Sequence, residues 1–424
     1  MTPRWSAQLT PLRLPGFRNL FFATLGSSVG TLLAAVALTI DVKDRTAASP
    51  HSGIWVAAVL VVEFLPTIIV GLLLGPLLDR LERRSLMIAA DALRVGVFVA
   101  LPFAANAATV VALAFVAGLA TGFFRPAVYA GIPNLVPDEE LPQANALLQT
   151  VENASWAIGP LVGGILTAAA GPSAAYAINA ASFVVSIVLL VRIPPRLLQS
   201  ERALSRGHWR DLRDGFSAAL HSPSMRAVLI AWGIASFALG GSNVATIFLA
   251  KDVLSGGDVG YGLLYGATGA GLVLGSFASA TALARYGVAR VYGGGILVMA
   301  AGALATAVSP TVWVAACCTA VLGVGNGAAI ACNALLVQRG TFDVVRGRAL
   351  TFVMSLVYVL VGCGTAFGGV LLHRSGPRWV WAAAGLMMIV AAVAGTLLAR
   401  RLGGETAAAA EVVPPERSPV AATN

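Results

Sequence analysis

Twelve long apolar runs, set close together along the chain, constrain what this sequence can fold into more than any other feature. They cover residues 17–41, 54–78, 85–105, 107–132, 143–170 and 172–193, then 225–250, 259–284, 291–309, 312–337, 349–373 and 377–399. A hydrocarbon layer of about 30 Å is crossed by about 20 helical residues. Lipid offers no partner to a backbone N–H or C=O, so each run must bond within itself as a helix. The pattern predicts an all-α membrane protein. Charged residues make up 11% of the chain, against about 25% in soluble domains, so the chain cannot cover itself in water. Gly171-Pro172 and Gly376-Pro377 leave room only for tight turns between neighbouring runs.

The formal charge of +9 would suggest a nucleic-acid partner in a soluble protein. Its distribution excludes that reading. With the N-terminus inside, 21 of the 28 Lys and Arg residues fall on cytoplasmic segments, 5 fall outside, and Arg94 and Arg125 lie within runs. This bias predicts a multi-pass protein of a cell (inner) membrane with both termini cytoplasmic. The scarcity of lysine (Lys43 and Lys251 alone) fits a GC-rich bacterial genome. Residues 1–16 read as a cytoplasmic N-terminus with no cleavable leader, and 401–424 as a disordered cytoplasmic tail. Cys317, Cys318, Cys332 and Cys363 lie in apolar runs as small packing residues. His51, His208, His221 and His373 form no cluster in sequence, so no metal and no cofactor are expected.

Sliding the chain on itself by 205 positions superposes Gly118 and Gly122 on Gly323 and Gly327, Gly159, Gly163 and Gly164 on Gly364, Gly368 and Gly369, and Asp138 on Asp343. Two duplicated six-helix bundles, 17–193 and 225–400, are predicted, joined by a hydrophilic cytoplasmic linker at 194–224. An even number of crossings gives both copies the same orientation. Parallel repeats of this kind are similar to the major facilitator superfamily (MFS) fold, in which two halves rock about a site near the midplane.

Gly75-Pro-Leu-Leu-Asp79-Arg80-Leu-Glu82-Arg83-Arg84, between the second and third runs, resembles the signature G-x-L-x-D-R-x-G-R-R of that superfamily, with Glu82 in place of a glycine. The resemblance implies a gating role. Asp79 would sit against the positive N-terminal end of the eleventh helix, and Arg83 or Arg84 would pair with Asp138, Glu139 or Glu140. The plainer alternative is that Arg80, Arg83 and Arg84 are only cytoplasmic anchors. Gly159-Pro160-Leu-Val-Gly163-Gly164 resembles a motif of exporters that exchange drugs for protons; close helix packing through small residues is the alternative.

Ionisable groups inside a bilayer are costly and point to function. All those well inside a run belong to the first half: the repeat superposes Glu63 on Thr268, Asp91 on Ile296, Arg94 on Met299, Arg125 on Ile330 and Glu152 on Val357. Glu63 lies near mid-bilayer with no partner evident in the sequence. It is either a proton-coupling carboxyl or a neutral one bonded to a neighbouring helix. Arg125 and Glu152 fall at matching depths on adjacent helices and are expected to form a buried pair, as a structural element or as a latch. Asp91 and Arg94, three apart, are expected to pair with each other or to support Asp79. Gln149, Asn153, Asn243, Asn326 and Asn333 offer polar contacts to a cavity, and Phe123, Trp156, Trp232, Phe237 and Tyr358 apolar ones.

The stretch from Phe124 to Leu147 (FRPAVYAGIPNLVPDEELPQANAL) and Leu86–Arg94 (LMIAADALR) are similar to the MFS branch of transmembrane secretion effectors, macrolide efflux pumps and enterobactin exporters. That resemblance implies a secondary transporter; the sequence offers no nucleophile–base set, phosphate loop or metal cluster for an enzyme, and a monomer is expected. It would export a drug, siderophore or other small amphipathic metabolite in exchange for protons, surrounded by membrane lipid. A lipid or lysophospholipid flippase and a non-transporting membrane partner or sensor are the alternatives.

Overall fold

The computed structural model of the chain describes residues 9–73, 81–198, 225–226, 228–340 and 343–411. Among the described residues there is no strand. The long helices are α1 (Pro15–Arg45), α2 (Ser52–Leu73), α3 (Arg83–Ala100), α4 (Ala107–Gly131), α5 (Leu141–Ala170) and α6 (Pro172–Val191), then α7 (Gly233–Phe248), α8 (Gly257–Tyr286), α9 (Val288–Val308), α10 (Val312–Gly340), α11 (Asp343–Ser375) and α12 (Pro377–Glu411). Wider π-type turns flank α7 at Val228–Trp232 and Leu249–Val253. Gly171 and Gly376, at φ +77° and +80°, turn α5 into α6 and α11 into α12 within one residue, each just before a proline.

Among the described residues, ten helices are long and apolar enough to cross a membrane, against the twelve runs expected. The two long helices outside that set are α2, of which only Ser52–Glu63 qualifies as a shorter apolar helix, and α5. The first half of α5 carries Gln143, Asn145, Gln149, Thr150, Glu152 and Asn153. Its polarity has a use, because this part of α5 borders an internal cavity.

Helix contacts recur with a period of six. α1 packs on α5 and α6, α2 on α4, and α3 on α4 and α6; α7 packs on α11 and α12, α8 on α10, and α9 on α10 and α12. The two sets meet through α2 on α11 and α5 on α8. Backbone contact is close at both meeting points. A β-carbon on Gly164 would lie 2.6 Å from Asp258 O and 2.8 Å from Gly262 Cα; one on Gly369 would lie 2.7 Å from Gly53 O and 2.7 Å from Ala57 Cβ. Each residue in the second contact is 205 positions from its counterpart in the first, so the register read from the sequence holds in space.

His51 and His373 stack with ring centroids 6.2 Å apart, because the α2–α11 contact brings together two histidines that are far apart in sequence. α12 continues to Glu411, into the segment expected to be a disordered tail, through an alanine run with high helix propensity. Most of the linker lies outside the described residues.

Candidate functional site

The end of the bundle that carries the α1–α2 turn is closed by ion pairs between the two helix sets. Lys43 of α1 reaches Asp252 beyond α7 at 3.1 Å. Lys251 reaches Asp44 of α1 at 2.6 Å and Asp258 of α8 at 2.7 Å. Lys43 also lies over the Phe248 ring, 4.8 Å from its centroid. The π-type turn at Leu249–Val253 carries both Lys251 and Asp252. Beside this seal, Arg45 bonds Asp41 at 2.7 Å and Ala104 O at 2.8 Å, and Tyr176 donates to Asp41 at 3.0 Å, which holds the end of α1 against its own set.

Beneath the seal lie three adjoining cavities, the upper two at the joint between the sets and the third lined, among the described residues, by the first set alone. The uppermost is lined by Thr39, Glu63, Trp156, Pro160 and residues of the second set: Asn243, Tyr261, Tyr265 and Thr365. Glu63 and Trp156 also border the next, with Arg94, Phe98, Arg125 and Tyr358. The third shares Arg94, Arg125 and Trp156 and adds Thr24, Ser27, Ser28, Tyr129 and Glu152. Thr24, Ser27, Ser28 and Thr31 recur at helical spacing on α1, so they present hydroxyls along one face. The passage is amphipathic, with hydroxyls and charges on the first set and aromatic walls from both.

Glu63 occupies the junction of the upper two cavities, and its Oε1 is buried without a hydrogen-bond partner. Arg125 Nη2 pairs with Glu152 Oε2 at 2.7 Å, and the Tyr129 hydroxyl donates to Glu152 Oε1 at 2.9 Å. The Arg125 side chain is 49% exposed and Glu152 16%. The pair therefore forms part of the cavity wall and is less enclosed than the sequence suggests. Asp91 and Arg94 pair with each other inside the first set, both buried. The Arg94 guanidinium is held between Phe124 and Phe183, 4.5 Å and 4.3 Å from the ring centroids.

In the α5 motif, β-carbons on Gly159 and Gly163 would lie 2.7 Å from Leu32 Cβ and 2.5 Å from Leu33 O, so these glycines seat α5 on α1. Gly164 seats it on α8, and Pro160 borders the upper cavity. At the position corresponding to Pro160 in the other set, Thr365 donates to Gly240 O at 3.2 Å and Val361 O at 2.8 Å.

Of the loop motif, Gly75, Asp79 and Arg80 lie outside the described residues. Arg83 donates to Ala130 O at 2.8 Å and Arg84 to Val191 O at 2.6 Å. Backbone carbonyls at the ends of α4 and α6 thus take the place of the acidic partners at 138–140. Among the polar and aromatic candidates, Trp156, Asn243 and Tyr358 border the cavities. Gln149 bonds Asn153 at 3.2 Å, Phe237 packs on Phe367, and Trp232, Asn326 and Asn333 are buried in the second set. Phe123 is partly buried. The sealing residues Asp44, Asp252 and Asp258 and the facing Tyr261 and Tyr265 were not anticipated from the sequence. Their signal was the Lys-Asp dipeptide at 43–44 and again at 251–252, offset by 208 and so out of step with the main repeat.

A family model described as transmembrane secretion effector matches residues 6–420. Macrolide efflux protein A of Enterococcus faecalis is 27% identical over 46% of this chain and 62% of its own length. Enterobactin exporter EntS of Shigella boydii is 29% identical over 65% and 66%. The uncharacterized MFS-type transporter YkuC of Bacillus subtilis is 28% identical over 55% and 56%. The chain thus spans between about half and two thirds of the length of these relatives. Among solved structures, a bacterial homologue of the human lysosomal transporter Spinster superposes with a TM-score of 0.68 at 15% identity, covering 94% of this chain and 98% of that one. A POT family transporter superposes at 0.69 and 13%, covering 91% and 96%. Both likenesses are of fold.

Proposed function

This chain belongs to the transmembrane secretion effector family of MFS transporters, and on that premise we propose that it exports a small amphipathic molecule in exchange for protons. It does so by alternating access between two halves of six spans each, residues 17–193 and 225–400, joined by the cytoplasmic linker 194–224. Both termini are cytoplasmic in this reading, in a bacterial inner membrane, and the end sealed by Lys43 and Lys251 is the outer one. The loop at Gly75–Arg84 gates the inner mouth.

One observation carries the proton coupling: Glu63 lines the passage beneath the seal, with a buried oxygen that no group among the described residues satisfies. A buried carboxylate left without partners is costly, whereas a protonated carboxyl is far less so. The cavity closed from outside therefore favours Glu63 with its proton, and release toward the cytoplasm prepares the site for substrate. Hydroxyls on α1, the Arg125–Glu152 pair and the rings of Trp156 and Tyr358 suit a cargo with both polar and apolar faces. By their names, two of the relatives export a macrolide and enterobactin.

A proton crossing about 100 mV supplies about 2.3 kcal/mol, enough to sustain a modest gradient of substrate. In proteoliposomes, Glu63→Gln abolishes uphill transport driven by a pH gradient and leaves substrate binding intact. Undiminished pumping by this variant would remove Glu63 from the coupling role. A deletion strain screened for lost resistance or secretion identifies the cargo.

A further inference from the structure

We propose that Tyr261 and Tyr265 of α8 are the positioning residues through which the second half reads Glu63, so that closing the outer seal depends on that carboxyl carrying a proton. The inference rests on the coupling role proposed for Glu63 and adds the partner in the other half that the role requires.

Asp258, Tyr261 and Tyr265 follow one another at intervals of three and four, so α8 presents them on one face. Asp258 belongs to the seal, through Lys251 at 2.7 Å. Tyr261 and Tyr265, one and two turns further into the bilayer, face the chamber that holds Glu63 and Thr39. Their rings meet edge to face, with centroids 5.2 Å apart and planes at 71°. Tyr261 is 1% exposed. The same face of α8 thus joins the outer ion pairs to the Glu63 chamber.

The face is held in place from the first half. A β-carbon on Gly262 would lie 2.6 Å from Pro160 O and 2.9 Å from Gly164 Cα, so α8 is seated directly on the α5 motif. Glu63 stands on α2, in the first half, and the tyrosines stand in the second. They line one chamber from opposite sides of the joint, so their apposition depends on how the outer ends of the halves meet.

The chemistry follows from donor and acceptor capacity. A protonated carboxyl donates one hydrogen bond and still accepts others, so it can both give to and take from phenol hydroxyls. A carboxylate there only accepts and leaves its charge in a low-dielectric chamber. Closing α8 over Glu63 is therefore cheap when the group is neutral and costly when it is charged. The remaining charged and titratable groups facing the adjoining cavity are Arg94 on α3, Arg125 on α4 and Tyr358 on α11. Asp91 and Glu152 engage the two arginines. Without the tyrosine hydroxyls the seal still closes, but the chamber loses the groups with which a protonated Glu63 can exchange hydrogen bonds.

The test uses the full chain in lipid nanodiscs, with the four native cysteines changed to alanine and spin labels at Ala48→Cys and Val308→Cys. These two exposed positions lie at the outer ends of opposite halves. Acidification should shift the unmutated pair from a long to a short distance, and Glu63→Gln should hold it short at every pH. Tyr261→Phe combined with Tyr265→Phe keeps both rings. At the pH where the parent protein is half closed, this variant should show a closed-to-open ratio lower by about fivefold, the loss of one to two hydrogen bonds. Each single variant should fall between, which covers the case of a double variant that misfolds. If Glu63→Gln is fixed while the tyrosine variants follow the parent's pH profile, the tyrosines have no such role and the proposal is overturned. If Glu63→Gln itself still responds to pH like the parent, the coupling role of Glu63 is what fails.

Discussion

Lys43 and Lys251, the chain's two lysines, each ion-pair with the aspartate that follows the other, at 3.1 Å to Asp252 and 2.6 Å to Asp44. The exchange is reciprocal across the joint between the two helix sets, so any separation of the sets at this end would break both pairs together. Exposed pairs contribute about 0.2–1 kcal/mol each, and Asp44 and Asp252 are about half exposed. Lys43→Asp should lower the closed-to-open ratio by about two- to fivefold. Adding Asp252→Lys should restore most of it. Distances between labels on the outer ends measure the ratio, and no recovery in the double variant would show that the pair is incidental.

Gly164 meets α8 backbone so closely that any side chain must push the halves apart at their outer ends. Overpacking of this kind costs about 1–3 kcal/mol. Gly164→Ala should reduce transport between about fivefold and a hundredfold, with the protein still folded and the outer mouth biased open. Gly96 and Gly362 have no heavy atom within 4 Å of the β-carbon position, so alanine at either should leave transport unchanged. Equal losses at Gly164 and at these controls would show general helix damage and not a closing defect.

Much of this organisation is legible in the amino acids. Apolar runs locate the helices, and the 205-residue register predicts which backbone contacts repeat, down to Gly164 with Asp258 and Gly369 with Gly53. The helix depths of Arg125 and Glu152 suffice to bring that pair together. The residues that face Glu63 are harder to find. The repeat superposes it on Thr268, but the groups that face it, Tyr261 and Tyr265, come from non-equivalent positions across the joint. The seal is hidden for a related reason: Lys251 lies three residues beyond the position that corresponds to Lys43, on a π-type turn that breaks the register. Arg83 and Arg84 bond carbonyls, which no pattern of side-chain charge can reveal.

Asp91 and Arg94 are enclosed within the first half, with side chains 0% and 4% exposed. Removing one partner of such a pair leaves a buried charge and costs about 3–5 kcal/mol. Asp91→Asn should sharply reduce the amount of folded protein in the membrane. Transport per folded molecule should stay near normal, because Asp91 borders none of the three cavities. Arg94→Lys should not substitute, since the planar guanidinium fills the slot between Phe124 and Phe183. Normal levels of folded Asp91→Asn would contradict this structural role.

The Arg125–Glu152 pair differs in being open to the passage. With Arg125 half exposed, each single loss should cost less than the about 3–5 kcal/mol of a fully buried pair. Glu152→Gln removes the charge opposite Arg125 and leaves a single amide oxygen for Arg125 and the Tyr129 hydroxyl to share, and Arg125→Gln leaves Glu152 held by Tyr129 alone. Because the groups share one network, the double variant should be less destabilised than the sum of the singles, with a coupling of about 0.5–3 kcal/mol. Thermal unfolding of the purified protein measures that difference. Transport should follow another order: the double variant regains stability but not export, since the charged wall that faces the cargo is gone. Strict additivity in stability would mean that the two side chains do not interact in the membrane. Full export by the double variant would remove the pair from cargo handling.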